Sequence, residues 1–333
     1  MPRSIARPSG GDLCQLFQRG MREPLIVERV DKILKLDDGI EAFSSVARLR
    51  HLTEGSSDTV GVVVAGSVPS VCSELPLTEA LEHLAVYGGC INGWEYLAGD
   101  QREKFLPVTA GFEKIINPKS LLYDLPTVTS KMLDAVMKWV FIGGCKGEFG
   151  EPSCVYDEST PTCMFGGSDW HTDPIGSAAW MVQLVGTKKW SVKLANSEIV
   201  VGTLSPLDLL ILPPGLEHKV ENIQCGGSPD NVAITHNWVD IENCSQMWLE
   251  VEKGVEIIEK ISPPENVPTV AQKLINDNLL YGLIVVLTSI PKPQLEELVD
   301  KHFAARKISD KKLLLVRLEN VAQLLTQPPS IHN

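Results

Sequence analysis

The sequence predicts an α+β protein with a mainly β core, built as a small antiparallel barrel or double-sheet jelly roll with flanking helices. From about residue 161 to residue 245 the chain is a series of short β-type runs separated by glycine and proline, which is typical of that architecture. Five of the seven tryptophans fall between Trp170 and Trp248. The regions before and after this core contain helical patterns.

The N-terminal region, residues 1–160, mixes β-rich runs with helical stretches, and we expect it to contribute to the same fold. Short β-type runs begin at Pro24 and at Val60. A helix is predicted over residues 77–87, because two glycines follow it, where helices often end. A second helix is predicted from apolar residues that share one stripe: Leu133, Val136, Met137 and Val140.

The C-terminal region, residues 246–333, is predicted to be helical beyond the break at Pro263 and Pro264. Ser309 is a candidate N-cap for the last helix. The apolar faces of two predicted helices consist of Leu295, Leu298, Val299 and Phe303, and of Leu313, Leu314, Val321, Leu324 and Leu325. Two interpretations stay open: an appendage that covers one end of the barrel, or a module for homodimerisation or substrate docking.

The composition is that of an acidic folded protein. Hydrophobic residues make up 44% and charged residues 22% of the chain, which argues against general disorder. The formal net charge of −12 argues against a nucleic-acid partner, because phosphate backbones are bound by dense lysine and arginine. The same charge suits a basic protein or peptide partner, although acidity also serves solubility alone.

Cysteine usage predicts a nuclear or cytoplasmic protein that is not secreted. The eight cysteines are scattered and form no Cys-x-x-Cys pair, a pattern that favours reduced thiols over a disulfide framework. The basic N-terminal residues lack the apolar stretch of a secretory signal. The longest apolar run, residues 279–290, is too short and too often interrupted to span a membrane.

Three residues form a candidate metal site: His171, Asp173 and His218. Side chains alternate along a strand, so His171 and Asp173 point to the same face. A strand that begins at Asp208 ends in a Pro-Pro turn, and an antiparallel neighbour then returns His218 toward the first strand. Two imidazoles and one carboxylate leave coordination positions open, as in Fe(II) sites that admit substrate and oxygen. Taken alone, the triad also allows open zinc or manganese sites.

A candidate cosubstrate-binding lysine lies between these ligands, in VGTKKWSV. If the strand resumes at Lys188, alternation directs Lys188, Trp190 and Val192 to one face and Lys189 to the other. A lysine inside a barrel needs an anionic partner, because an unpaired buried ammonium is costly. A dicarboxylate supplies one: its α-keto acid end chelates the iron while its distal carboxylate pairs with Lys188. The alternative is that both lysines are solvated turn residues.

The segment from about Cys163 to Val239 resembles the JmjC family of Fe(II)- and 2-oxoglutarate-dependent oxygenases. WHTDPIGSAAW parallels the motif His-x-Asp-Pro-Leu-Gly-Thr-Ser-Ala-Trp of its Jumonji-domain lysyl hydroxylase branch, once described as phosphatidylserine receptor. VGTKKW parallels Gly-x-Lys-Arg-Trp of that branch, and AITHNW parallels Ala-Ile-Thr-Gln-Asn-Phe. The resemblance covers about a quarter of the chain and implies a double-stranded β-helix, or cupin, barrel.

The resemblance also implies roles for individual residues. His171, Asp173 and His218 would bind the iron, and Lys188 would pair with the 2-oxoglutarate carboxylate. Ser168 stands where a threonine commonly assists that lysine, and its hydroxyl can donate the same hydrogen bond. The resemblance places two residues of the last strand near the cosubstrate and the metal, although they also fit as ordinary strand residues: Thr235 and Asn237. The intervening His236 points the other way and is expected to be structural.

The sequence departs from the motifs of the lysyl hydroxylase branch at three points, and these limit the roles that the resemblance implies. Met181 stands where the lysyl hydroxylase branch has an asparagine near the cosubstrate, so one polar contact is lost. Leu207 replaces a glycine, which we expect to disturb a turn rather than a ligand. The link between Lys188 and Asp208 is shorter than in that branch, and this bears on the substrate more than on the chemistry.

The function implied is hydroxylation of a protein or peptide side chain, with Fe(II) as cofactor and 2-oxoglutarate and O2 as cosubstrates. The same iron site serves a demethylase if the target carbon is a methyl group on nitrogen, since the hydroxylated product loses formaldehyde. A small-molecule or RNA-nucleoside hydroxylase and a catalytically inactive JmjC scaffold are the remaining alternatives. Retention of all three ligands and Lys188 argues against the scaffold.

Overall fold

A computed structural model represents the protein, and it describes the following residues together with a few single positions: 3–8, 22–32, 45–63, 72–95, 137–144, 167–223, 230–239, 244–261, 290–302 and 307–326. The described residues fall into two compact units. The first contains every strand together with the helices before residue 90, and the second contains a short turn at residues 174–176 and the helices after residue 240.

Thirteen strands lie in the described part of the chain. In chain order they are β1 (Arg3–Ser4), β2 (Leu25–Val27), β3 (Thr59–Val63), β4 (Cys72–Pro76), β5 (Gly89–Trp94), β6 (Lys138–Gly144), β7 (Gly167–His171), β8 (Ala178–Val185), β9 (Thr187–Lys193), β10 (Ile199–Leu204), β11 (Leu209–Leu212), β12 (Glu217–Ile223) and β13 (Asp230–Trp238). The described α-helices are α1 (Val46–Leu52), α2 (Leu77–Tyr87), α3 (Cys244–Glu259), α4 (Lys292–His302) and α5 (Ile308–Thr326). Two 3-10 turns cover Val30–Lys32 and Pro174–Gly176.

The strands form two sheets, which confirms a mixed α+β fold with a mainly β core. One sheet has five strands in the order β1-β10-β9-β12-β7, and the other has eight in the order β2-β11-β8-β13-β6-β5-β3-β4. The strand pairs are antiparallel except for β1 with β10. The two sheets share an apolar core, as in a β-sandwich.

The core between the sheets takes alternate side chains from both of them. Met181 on β8, Trp190 and Val192 on β9, Leu210 on β11 and Ala233 on β13 are all buried there. The other face of the eight-stranded sheet packs against α1 and α2 in a second apolar core. Because both of its faces are covered, β8 is buried over almost its whole length.

The outer face of the five-stranded sheet carries ion pairs between β9 and β12. Lys193 lies 2.9 Å from Glu217, and Lys189 lies 3.5 Å from Glu221, in each case across the pairing of β9 with β12. Exposed pairs of this kind contribute little to stability. They show, however, which face of β9 is solvated, and the alternation predicted for this strand is confirmed.

The N-terminal predictions are confirmed at three elements and wrong at one. The helix ends at Tyr87 as predicted, and Gly88 follows it with a φ of 77°. The β-type runs at Pro24 and Val60 contain β2 and β3. The helix predicted through Met137 and Val140 is instead strand β6, because β13 and β5 pair with it on either side. Leu133 and Val136 lie outside the described residues.

The C-terminal helices are present, but the last one begins before its predicted cap. Helix α5 starts at Ile308, so Ser309 lies inside its first turn. Arg317 pairs with Glu259 at 2.7 Å and thereby joins α5 to α3. On the predicted apolar face, Leu314 and Val321 are buried, whereas Leu313 is 59% exposed. None of the helices within the described residues is long and apolar enough to cross a membrane.

Leu207 occupies the tight turn that precedes β11, at the position where a glycine was expected. Its φ is 68°, in the left-handed region that glycine adopts without strain. Its carbonyl accepts a hydrogen bond from the Val30 N–H, and its own N–H donates to the Gln183 carbonyl, both at 2.7 Å. The backbone thus keeps the glycine-type conformation although the side chain is present.

Gly186 forms the turn between β8 and β9 and sets the register from which Lys188 points inward. Its φ is 74°, and an added Cβ would lie 2.6 Å from the Asp230 carbonyl oxygen. We expect Gly186→Ala to lower the free energy of unfolding by roughly 2–4 kcal/mol, since a left-handed alanine and a backbone clash both contribute. Urea denaturation followed by circular dichroism measures this.

The matched control is Gly55→Ala. Gly55 has a similar φ of 79°, but an added Cβ there meets nothing within 4 Å. In this variant the free energy of unfolding should fall only by the cost of a left-handed alanine, roughly 1–2 kcal/mol. Equal losses in the two variants would show that the contact with Asp230 has no effect.

Candidate metal centre

Two histidines from neighbouring strands meet on the inner face of the five-stranded sheet. His171 ends β7, and His218 is the second residue of β12. The two residues lie directly opposite each other in the antiparallel pairing, and their ring centroids are 4.2 Å apart. The antiparallel return predicted for His218 is therefore present.

Asp173 completes the group two residues after His171. One ligand atom from each of His171, Asp173 and His218 lies within 4.8 Å of the others. Asp173 comes directly before the Pro174–Gly176 turn, in which Ile175 has a φ of 51°. A buried β-branched residue in the left-handed region is rare, and such strain is concentrated at functional sites.

The hydrogen bonds of both imidazoles fit metal binding. Nδ1 of His171 lies 2.7 Å from the Asp169 carbonyl oxygen, and Nδ1 of His218 lies 3.0 Å from the Leu216 carbonyl oxygen. A carbonyl only accepts, so each Nδ1 carries the proton and donates. The lone pair of each ring then belongs to Nε2, which is the arrangement that orients metal-ligating histidines.

The donor set fits an open divalent metal site. Two imidazole nitrogens and one carboxylate oxygen suit Fe(II), Mn(II) and Zn(II). Within the described ranges, no fourth His, Cys, Asp or Glu side chain joins the group. Three protein ligands leave coordination positions for exogenous molecules, whereas a structural zinc site would close with a fourth.

Lys188 lies inside the sandwich, as strand alternation predicts. Only 3% of its surface is exposed, and its Nζ donates a hydrogen bond to Asn222 Oδ1. The ring of Phe141 on the facing sheet has its centroid 6.0 Å from Nζ. The alternative interpretation, in which Lys188 is a solvated turn residue, is therefore wrong.

Burial lowers the pKa of Lys188 from 10.5 to about 8, and an opposing effect of Cys90 is smaller. No carboxylate in the described part of the chain contributes to this pKa. At neutral pH the group is still mostly an ammonium, held by one neutral amide. Such a charge is poorly compensated, and an anion placed beside it would be bound strongly.

Ser168 shares the inner face with His171 because of a β-bulge. On β12, Val220 lies opposite Ser168 and His218 lies opposite His171. The two β12 residues are two positions apart in sequence, whereas their β7 partners are three positions apart. Strand β7 therefore holds one extra residue at Asp169 and Trp170. Residues directly opposite in an antiparallel pair point to the same face, so Ser168 points inward with Val220.

Thr235 and Asn237 are buried on the face of β13 that carries Ala233, toward the core between the sheets. The Thr235 hydroxyl donates to the Trp180 carbonyl oxygen at 2.7 Å. His236 points the other way and packs on the Trp180 ring, with centroids 4.3 Å apart. Burial, with a smaller effect of Lys138, lowers its pKa well below 6.5, so His236 stays neutral.

Met181 stands at the position where the resemblance expects an asparagine. It lies directly opposite Thr235 and is buried among apolar side chains of the core between the sheets. An asparagine at this position would present an amide to the interior. The thioether of Met181 presents none, so polar contacts inside the sandwich must come from other residues.

Asn222 is a polar neighbour of Lys188 that the sequence interpretation missed. It lies directly opposite Lys188 in the pairing of β12 with β9, and it is 5% exposed. An added Cβ on Gly143 would lie 2.8 Å from its Nδ2, so the amide occupies space that only a glycine leaves free. The signal was available, because Asn222 follows His218 by four residues and therefore shares its face.

Comparison of the chain with protein-family models and with curated protein sequences gives no match.

Metal binding should depend on the histidine pair. We expect one Mn(II) ion per chain in isothermal titration calorimetry, and His218→Ala should weaken binding by more than about a hundredfold, because losing even a group that orients a ligand costs about 10- to 100-fold. Mn(II) is chosen because its preference for nitrogen and oxygen avoids the eight cysteines. His51→Ala is the control, since that side chain is 90% exposed, and equal loss in both variants would contradict the assignment.

The buried ammonium should make stability depend on pH. The unfolded chain keeps the Lys188 proton up to about pH 10.5, whereas the folded protein releases it near pH 8. The free energy of unfolding should therefore rise by about 3 kcal/mol between these values and stay level below pH 8, as far as this group contributes. Urea titrations of wild type and Lys188→Met check this, and parallel pH curves would refute it.

Proposed function

We propose that the protein is an Fe(II)- and 2-oxoglutarate-dependent oxygenase that hydroxylates a side chain of a protein or peptide. The observation that carries the proposal is the joint presence, on one inner face, of an open two-histidine, one-carboxylate group and a buried ammonium without a carboxylate partner among the described residues. The metal alone fits many reactions, and the ammonium selects an anionic cosubstrate.

The strand arrangement supports a double-stranded β-helix of the jelly-roll or cupin type. The eight strands β6 to β13 of the described residues divide equally between the sheets, with β7, β9, β10 and β12 in one and β6, β8, β11 and β13 in the other. Eight strands in two facing sheets are what a double-sheet jelly roll requires. The metal ligands and Lys188 then face the space between the two sheets.

The spacing of the charged groups suits 2-oxoglutarate. His218 lies opposite Val192, and Lys188 lies opposite Asn222, four residues farther along β12. Four residues of an extended strand span about 13 Å. A five-carbon dicarboxylate with one end at the metal and its distal carboxylate at Nζ would bridge the two groups across this interval.

The roles of the chain's own residues follow from these contacts. His171, Asp173 and His218 hold the metal, and the carbonyls of Asp169 and Leu216 fix both rings. Lys188 binds the distal carboxylate, and the apolar core around it excludes water. When bound, Fe(II) with 2-oxoglutarate and O2 supplies the oxidising power for C–H hydroxylation, with succinate and CO2 as coproducts.

The acidic charge of the chain supports a basic protein or peptide as the substrate, and the scattered cysteines support a location in the nucleus or cytoplasm. A homodimer through the C-terminal helices is part of the same proposal. Helix α5 exposes three large apolar side chains that a partner would cover: Ile308, Leu313 and Val316. Equilibrium sedimentation of wild type and Leu313→Glu tests this, and a wild-type monomer would exclude the dimer.

Demethylation of methyl-lysine or methyl-arginine is the second candidate, because the same iron ligands serve both outcomes. The products separate the two activities: a peptide gains one oxygen in hydroxylation, and it loses a methyl group with release of formaldehyde in demethylation. Peptide-library turnover read by mass spectrometry distinguishes them. No turnover of any peptide, with succinate still produced, would point to a substrate of another class.

The oxygenase proposal predicts a visible charge-transfer band when Fe(II) and 2-oxoglutarate are added without oxygen, and slow succinate production in air. Lys188→Ala should keep metal binding but weaken 2-oxoglutarate binding roughly 10- to 100-fold, because a charged hydrogen bond is lost. Lys189→Ala is the matched control, since Lys189 points to the solvated face. Succinate production that is absent, or unchanged in His171→Ala, would reject the oxygenase and favour an inactive scaffold.

A further inference from the structure

Trp190 carries a buried hydrogen-bond donor that no described protein atom satisfies. Its indole is 3% exposed, and Nε1 has no hydrogen-bond partner among the described residues. The side chain points into the core between the sheets. Gln183 Oε1, a buried acceptor, also lacks a partner, so the two atoms do not satisfy each other.

Trp190 lies between the two charged parts of the site, which are the metal ligands and Lys188. On β9 it lies two residues from Lys188 and two from Val192, which is opposite His218. Its ring stacks on the His218 imidazole, with centroids 5.2 Å apart and planes inclined by 28°. A ligand that spans from the metal to Lys188 must therefore pass this indole.

Packing alone does not account for a tryptophan at this position. An indole N–H donates and cannot accept, and burying it without an acceptor is unfavourable. A phenylalanine would fill much of the same apolar space without that cost. None of the described residues places an acceptor within hydrogen-bond distance of Nε1, so the missing acceptor is expected from a bound molecule.

We propose that Trp190 Nε1–H donates a hydrogen bond to a carboxylate oxygen at the metal-binding end of 2-oxoglutarate. The inference rests on the proposed function and adds a second anchor to it, at the opposite end of the cosubstrate from Lys188. Stacking on His218 fixes the indole, so Trp190 both holds a metal ligand and positions the cosubstrate.

Trp190→Phe tests the proposal in the free and in the bound protein. The unliganded variant loses core volume together with an unsatisfied donor, so its melting temperature should fall less than that of Trp94→Phe, which loses the same volume and a satisfied hydrogen bond. Its affinity for 2-oxoglutarate, measured by calorimetry with Mn(II) present, should fall about tenfold, the loss expected for a hydrogen bond to a charged acceptor.

A second measurement observes the donor directly. In protein labelled with 15N at the tryptophan indoles and loaded with one equivalent of diamagnetic Zn(II), the Trp190 N–H signal is the one missing from Trp190→Phe. Addition of 2-oxoglutarate should shift this signal downfield and slow its exchange with solvent. A signal that does not respond overturns the inference.

Trp94→Phe is the control. Trp94 belongs to the same sheet sandwich but lies in the core that faces α1 and α2, and its Nε1 already donates to Asp58 Oδ2 at 3.0 Å. This variant should lose more stability than Trp190→Phe and keep its 2-oxoglutarate affinity.

The outcomes separate the two proposals. If wild type binds 2-oxoglutarate and Lys188→Ala weakens it, but Trp190→Phe binds as tightly as wild type, the role of Trp190 is rejected and the oxygenase proposal stands. If wild type with metal does not bind 2-oxoglutarate, both proposals are rejected. If Trp190→Phe loses as much stability as Trp94→Phe, the indole N–H is satisfied within the protein and the inference fails.

Discussion

The candidate site depends on the register of β12. This strand pairs with β7 on one side and with β9 on the other, so a single alignment brings His218 opposite His171 and Asn222 opposite Lys188. Side chains alternate with a period of two, and a slip by one residue would turn every second side chain of β12 to the solvated face. One strand alignment therefore determines the metal ligands and the environment of the buried lysine together.

A bound divalent metal would make the charge inside the sandwich opposite in sign to that of the chain. The protein has a formal net charge of −12, yet the interior beside the metal group holds an ammonium and an indole N–H. A divalent metal would add two positive charges near the Lys188 ammonium, and the Asp173 carboxylate would offset only one of them. This interior favours small anions, while the acidic exterior disfavours their nonspecific adsorption.

Alternation along single strands made much of this site predictable. The directions of Lys188, Trp190 and His236 follow from a period of two, and so does the pairing of His218 with the first strand. Asn222 was equally accessible to that reasoning. The β6 segment was not, because the apolar spacing of Met137 and Val140 fits a helix as well as a strand, and pairing with β13 and β5 decides between them.

The orientation of Ser168 could not be predicted from the sequence, for a different reason. A bulge is a property of two paired strands, and the sequence of β7 alone does not contain it. Among the described strands, β7 also forms the end of its sheet, where unpaired backbone groups are able to recruit another chain. A bulge bends and twists the strand that carries it, and a twisted edge is a poor template for such recruitment. The extra residue that turns Ser168 inward therefore also protects the border of the metal group against intermolecular strand pairing and aggregation.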